Sequence, residues 1–160
     1  MKKIVFSAVV ICCLLQSAQA QRGSDLKFQF GFNVGVPAHN LGGTSLGLGV
    51  DLLGHYKASP DVAITGDLGY TALLAKNNGS TSNLVPLRIG LRYYPATEFY
   101  VGGKFGAGFI SNRGSSVTST AYSVGFGYLP SNRVELGASY DGYSKNGTIG
   151  LLNLRVGVFL

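Results

Sequence analysis

The sequence predicts an all-β fold, an eight-stranded antiparallel up-and-down transmembrane β-barrel. From Leu26 to Leu160, apolar residues alternate with polar residues or glycine in segment after segment. Successive side chains of a strand point to opposite faces of a sheet, so each segment has one apolar face and one polar face. A secretory signal precedes this region, and tight connections alternate with longer ones. Together, these observations favour a barrel that crosses a membrane.

The first twenty residues are predicted to be a signal peptide. Two lysines precede an apolar run over residues 4–15, and Ala-Gln-Ala at residues 18–20 matches the small-residue pattern of a cleavage site. The apolar run is too short for a membrane-spanning helix, which needs roughly 20 residues. We therefore expect a cleaved signal peptide at residues 1–20 and an outer-membrane β-barrel domain at residues 21–160.

Cysteine content and charge exclude several classes of function. Cys12 and Cys13 lie in the predicted signal peptide, so the mature chain is expected to have neither a disulfide nor a thiolate metal ligand. Cleavage removes two lysines and lowers the formal net charge from +6 to about +4. The remaining bases are spread at strand spacing, without the clustered patch that a nucleic-acid surface requires. We predict no nucleic-acid partner and no cofactor.

Eight segments carry the alternation, and each is predicted to be one strand. In the first, every second residue from Leu26 to Val36 is apolar. The second keeps the pattern except at Leu53, and the fourth places apolar residues opposite Arg88 and Arg92. The others follow from the same alternation. The predicted strands are residues 26–36, 45–58, 62–74, 85–94, 99–110, 121–129, 134–143 and 149–160.

The predicted connections differ between the two rims. Those after the second, fourth and sixth strands are tight and contain Pro60, Pro95 or Pro130, which fixes φ and cannot donate to a ladder. Those after the odd-numbered strands are predicted to be longer, and SNRGSSVTST after the fifth is the clearest loop. Short turns on one side and long loops on the other are typical of outer-membrane barrels, whose short turns face the periplasm.

The polar face is predicted to line the barrel interior. An eight-stranded barrel is just wide enough for side chains to fill, and long charged residues beside glycines suit that space. Because pairing stabilises charges away from water, we expect a filled lumen without an open pore. Lys27 and Lys57 fall on this face as well. The predicted lumenal charge network is Asp51, Asp67, Arg88, Arg92, Lys104, Glu135, Asp141 and Arg155.

Aromatic residues on the apolar face are predicted to form girdles. Tyr and Phe are favourable at the headgroup level of a bilayer, so they gather at its two interfaces. A second group, near the rim with the longer links, contains Tyr70, Phe109, Tyr122 and Tyr140. The predicted girdle at the short-turn rim is Phe28, Tyr56, Tyr93, Phe99 and Tyr128.

The predicted outer loops are uniformly cationic. They contain Lys76, Arg113 and Lys145 and no acidic residue. Coulomb attraction would draw such a rim toward a phosphorylated glycolipid. Outer-membrane lipid, with lipopolysaccharide as a candidate, is therefore the predicted partner.

No catalytic or metal site is predicted. His39 lies in the first predicted loop and His55 near the opposite end of the second strand, so a shared metal or acid–base role is not expected. The glycine-rich run at residues 102–108 lies within a strand and lacks the helix that a phosphate-binding loop requires.

The signal peptide, the eight alternating strands and the proline-marked turns resemble the family of small outer-membrane β-barrel proteins, such as OmpX-like barrels. This resemblance covers the whole mature chain. It implies an integral protein in the outer membrane of a Gram-negative bacterium, inserted by the barrel assembly machinery. That machinery reads a last strand ending in an aromatic residue, whereas the aromatic residue here, Phe159, is penultimate.

The same resemblance implies surface roles and supplies no catalytic residue. We expect a non-enzymatic barrel whose outer loops serve envelope integrity, adhesion or lipopolysaccharide contact, with its external protein partner unknown. One alternative is a lipid-modifying outer-membrane enzyme. Another is a soluble lipocalin-like periplasmic carrier with the apolar face turned inward, which would leave many glycines on exposed strand positions.

Overall fold

The chain forms a closed barrel of eight antiparallel strands in a computed structural model. The structure describes residues 26–39, 44–76, 81–112, 115–145 and 147–160, so the predicted signal peptide at residues 1–20 lies outside it. The described residues contain no helix long and apolar enough to cross a membrane. The predicted fold class is confirmed. The strands are β1 Leu26–His39, β2 Thr44–Lys57, β3 Val62–Ala75, β4 Ser82–Ala96, β5 Phe99–Asn112, β6 Ser115–Ser131, β7 Val134–Ser144 and β8 Thr148–Phe159.

Each strand pairs with its neighbours in sequence, and β1 pairs with β8 to close the sheet. The closing register places Phe30 opposite Val158. Beyond the end of β8, the Leu160 amide donates to the Phe28 carbonyl at 3.0 Å. Closure satisfies the backbone along the barrel wall, which is the condition for a sheet to span hydrocarbon.

Alternation along the strands separates the two faces as the sequence predicts. Ile89 and Leu154 on the outside are 73% and 69% exposed, whereas Arg92 and Glu135 on the inside are 3% and 0% exposed. The soluble-carrier alternative is therefore wrong for this structure, because it requires the reverse arrangement. Along β5, the outward apolar ladder runs from Phe99 to Phe109. At a tilt of about 40° this ladder is roughly 25 Å tall, the height of an outer-membrane apolar band.

The predicted long loop between the fifth and sixth strands is wrong. β5 continues to Asn112 and β6 begins at Ser115, so most of SNRGSSVTST is paired strand, with Ser111 opposite Ser116. Serine and threonine suggested a loop by composition, but the β-branched residues Val117, Thr118 and Thr120 are favourable in strands, and pairing with β5 satisfies backbone groups on that side. His39, also assigned to a loop, is the last residue of β1.

The face assignment predicts a sharp difference between two substitutions at Leu68, which is 52% exposed at the middle of β3. Leu68→Arg is expected to lower the free energy of unfolding in a bilayer by about 2–4 kcal/mol, because the charge enters hydrocarbon. Leu68→Met keeps the position apolar and is expected to cost less than about 1.5 kcal/mol. Urea unfolding in lipid vesicles measures both. Equal losses would contradict the outward placement of this face.

Candidate functional site

Glu135 is the centre of the first of two charge clusters in the lumen. Its side chain is fully buried. Arg92 donates two hydrogen bonds to the carboxylate, at 2.6 and 3.0 Å, and Arg155 donates a third at 2.9 Å. The Tyr100 hydroxyl and the Gln29 amide donate to it at 2.7 and 3.1 Å. Four side chains from four strands therefore converge on one carboxylate.

Arg155 extends this cluster across the lumen to Asp51. Its Nε lies 3.0 Å from both carboxylate oxygens of Asp51, and its Nη1 also donates to the side-chain Oε1 of Gln29 at 2.9 Å. Asn33 donates to Asp51 at 3.2 Å. The guanidinium thus joins β8 to β1, β2 and β7.

Arg88 is the centre of the second cluster. It donates to both oxygens of Asp67, at 2.8 and 3.3 Å, and to Asp141 at 3.0 Å. Lys104 lies 3.4 Å from Asp67. Ser123 completes the set by donating to Asp141 at 2.6 Å. Two carboxylates from opposite sides of the barrel therefore share one guanidinium.

The structure brings all eight residues of the predicted network into these clusters, in balanced numbers. Four bases face four acids, and every member has an ion-pair partner. Lys27 and Lys57, although on the same strand face, are exposed at the strand ends and lie outside the clusters. The formal charges of the two clusters therefore sum to zero. The strand pattern alone predicted an excess of bases, because it also counted Lys27 and Lys57.

Two apolar plugs flank the charged layer, and sequence reasoning missed both. At the end with the short turns, Tyr94, Tyr100 and Ala63 pack together with Leu129. The Tyr100 ring also lies 4.0 Å from the Arg92 guanidinium, a cation–π contact that connects plug and charges. The signal available in the sequence was an apolar or aromatic residue at a position that the alternation assigns to the polar face, as at Tyr94. The plug at the other end consists of Leu73, Leu84, Ala121, Tyr143 and Leu151, with Ile110 and Ile149 against it.

Little space remains between these side chains. One cavity of about 40 Å³ lies between Arg92, Tyr100 and Ser139, and another of similar size between Asn33, Thr71 and Arg88. Each has room for about one water molecule. Within the described residues, the lumen is a packed interior with two plugs, a geometry that holds the charges at fixed positions.

Two of the three basic residues predicted for the outer loops lie at the rim opposite the short turns. Lys76 follows β3 and Lys145 lies between β7 and β8, and both are exposed. Arg113 lies outside the described residues. The described acidic residues are elsewhere, since Asp61 and Glu98 are in the short turns and the others are in the lumen.

The five predicted girdle residues lie on the outside near the short-turn rim. Register places Tyr128 opposite Phe99, and Tyr93 opposite Val101. Near the other rim, the Tyr122 ring lies so close to Gly142 that a Cβ there would collide with it. Aromatic rings that cover strand glycines stabilise sheets at such positions. Of the five predicted girdle residues, one is half-buried, Phe28, and four are exposed, Tyr56, Tyr93, Phe99 and Tyr128.

The two histidines do not meet. His55 pairs with Lys27 at the start of β1, whereas His39 ends the same strand, so about 40 Å of strand separates them. His55 is buried beside the Tyr94 hydroxyl, with 3.2 Å between its Nε2 and that oxygen, and its ring centre lies 6.2 Å from that of Phe159. The described residues contain no group of three potential metal ligands.

Comparison with known proteins agrees with this geometry. The family described as outer membrane protein beta-barrel domain matches residues 4–159. The Ail protein of Yersinia pestis is 19% identical, with a TM-score of 0.61 over 84% of this chain and 97% of that one. The N-terminal barrel domain of Pseudomonas aeruginosa OprF is 17% identical, with a TM-score of 0.62 over 87% and 100%. Neisserial surface protein A is 19% identical, with a TM-score of 0.60 over 84% and 97%. No curated protein matches by sequence.

Removing the charge of Glu135 is expected to destabilise the barrel strongly. Glu135→Gln keeps the shape but leaves Arg92 and Arg155 without their shared counter-charge, at a cost of about 3–5 kcal/mol in the free energy of unfolding. Glu98→Gln, in an exposed turn, removes a charge outside the lumen and is expected to change stability by less than about 0.5 kcal/mol. Urea unfolding in vesicles compares them. Equal values would show that lumenal pairing does not stabilise the fold.

Proposed function

Because the chain belongs to the outer membrane protein beta-barrel domain family, we propose that this integral outer-membrane protein is a non-enzymatic barrel that supports envelope integrity. Its outer rim contacts the phosphorylated glycolipid of the outer leaflet, lipopolysaccharide. Its filled lumen keeps the barrel rigid and closed to solutes.

The observation that carries this proposal is the separation of charge between the rims. Lys76 and Lys145 are exposed at one rim, and the described acidic side chains are either in the lumen or in the turns of the other rim. A rim with bases and no neighbouring acid presents an unopposed positive potential. The plane of the lipid phosphates is the surface that such a rim meets first.

The expected strength of the contact is moderate. Each basic residue near an anionic membrane surface contributes about 1 kcal/mol, and salt screens the interaction over a Debye length of roughly 8 Å at physiological ionic strength. The three cations Lys76, Arg113 and Lys145 would therefore contribute roughly 3 kcal/mol together. A contribution of this size is expected for a lipid that stays associated with the protein but still exchanges with the surrounding membrane lipid.

The lumen supports a structural role rather than transport or catalysis. Its charges are held by ion pairs and its ends by apolar plugs, so no side chain is left presented to a substrate inside the described barrel. His39 and His55 lie at opposite rims, and a joint acid–base mechanism needs groups within reach of one reacting atom.

The lipid contact is tested by replacing Lys76, Arg113 and Lys145 with Gln together. Lipopolysaccharide is expected to raise the unfolding temperature of the wild-type barrel in detergent and to raise that of the triple variant less, because the attraction to phosphate is lost. The matched control replaces Lys27, Lys57 and Arg133, exposed bases at the other end, with Gln. The control should keep the full increase.

Dephosphorylated glycolipid serves as the second arm. The wild-type increase in unfolding temperature should fall to that of the triple variant when the phosphates are absent. An increase that is the same for the wild type, the triple variant and the control would overturn the lipid contact. Detergent sensitivity of cells lacking the protein, restored by the wild type and not by the triple variant, is the expected result for envelope integrity.

A further inference from the structure

The end of β6 that is farthest from the short turns has a free edge, which means that among the described residues it is paired on one side only. Residues Ser115 to Ser119 pair with β5, but pairing between β6 and β7 begins only at Thr120, opposite Ser144. On the β7 side, no described residue forms a ladder with this segment. Its five residues span about 17 Å.

The free edge carries none of the features that usually protect an edge strand. Native sheets block such edges with charged side chains, prolines or bulges. The sequence from Ser115 to Ser119 has no charge and no proline, and its pairing with β5 is regular. Ser115, Ser116, Val117 and Thr118 are all exposed. The segment is thus a template for an added strand.

This edge lies outside the lipid. The outward ladder of β6 is aromatic and aliphatic up to Tyr122, and above it come Thr120, Thr118 and Ser116. Unpaired backbone groups in hydrocarbon cost several kcal/mol each, so a free edge is tolerated only where water reaches it. The edge therefore extends into the medium beyond the outer leaflet.

A second copy in the same membrane does not fit the edge. Two barrels in one bilayer are related by an axis along the membrane normal, and their strands tilt by about 35–45°. Two β6 edges related in this way would cross at a large angle and could not form a ladder. An extended segment from a separate molecule has no such restriction.

The charge of Lys145 indicates which type of side chain an added segment would carry. Lys145 follows Ser144, the last β7 residue paired with β6, so it lies where the free edge begins. It is exposed, and a strand added to the edge would pass beside it at the membrane-proximal end. An acidic residue at that end of the segment would form an ion pair.

We propose that the free edge of β6, Ser115 to Ser119, binds an extended acidic polypeptide segment from outside the cell by β-strand addition. Backbone hydrogen bonds to the edge supply the affinity, and Lys145 selects segments with a carboxylate at the membrane-proximal end. The proposal does not require the proposed lipid contact, although Lys145 takes part in both.

A synthetic peptide tests the proposal. The probe is acetyl-Glu-Thr-Val-Thr-Ser-Thr-amide with a fluorescent label, titrated against the full mature barrel in phospholipid nanodiscs that contain no lipopolysaccharide. We expect saturable binding by fluorescence anisotropy, with backbone amide shifts by NMR concentrated in Ser115 to Ser119. The same peptide N-methylated at every residue cannot donate to a ladder and is expected to bind at least tenfold more weakly.

Two matched variants test the role of charge. Lys145→Gln is expected to weaken binding about two- to fivefold, the effect of one exposed ion pair, whereas Lys76→Gln at the same rim should leave it unchanged. Equal binding of the methylated peptide, equal effects of the two variants, or no binding at ~1 mM peptide would overturn the proposal. Cross-linking of Thr118→Cys between two barrels would also overturn it, because a second copy would then occupy the edge.

Discussion

Charge pairing in a space sealed from bulk water is the interaction on which this molecule depends. A barrel of eight strands has room for very little water around eight ionised groups, so each must be neutralised by a neighbour. The structure does this with Glu135 and Arg88 as centres, each joined to partners on other strands. Without that neutralisation the apolar outer face could not be combined with a charged interior.

The clusters also connect parts of the chain that the β-ladders do not. Ladders join only neighbouring strands, whereas Arg155 binds Asp51, 104 residues away, and Gln29 binds Glu135, 106 residues away. Such contacts hold non-neighbouring strands together across the lumen, whereas the ladders form the barrel wall. Together with the two plugs, they make the interior comparable to the core of a soluble protein, with polar contacts in place of part of the apolar packing.

Most of the fold was predictable because a bilayer imposes a strict alternation on every strand that crosses it. The outward residues had to be apolar, and the position of each lumenal charge followed from parity. The plug residues, such as Leu84 and Tyr143, were not predictable in the same way, because the lumen accepts apolar side chains as readily as paired charges. The length of β6 was also missed, since above the bilayer the strand needs no apolar alternation and Ser115 to Ser119 resembles a loop in composition. Which acid pairs with which base depends on the stagger between strands. The alternation along a single strand does not specify this stagger.

The pairing of β1 with β8 has a consequence for biogenesis. During assembly, β1 must remain unpaired on one side until β8, more than 100 residues later in the chain, is in place. The entropic cost of joining ends so far apart grows only slowly with length, but contacts so distant form late and slow the folding of the chain. A partly assembled barrel therefore keeps one edge of β1 unpaired until the last strand joins it. An assembly that stops before β8 leaves this β1 edge open to other chains, whereas the closed β1–β8 seam offers none.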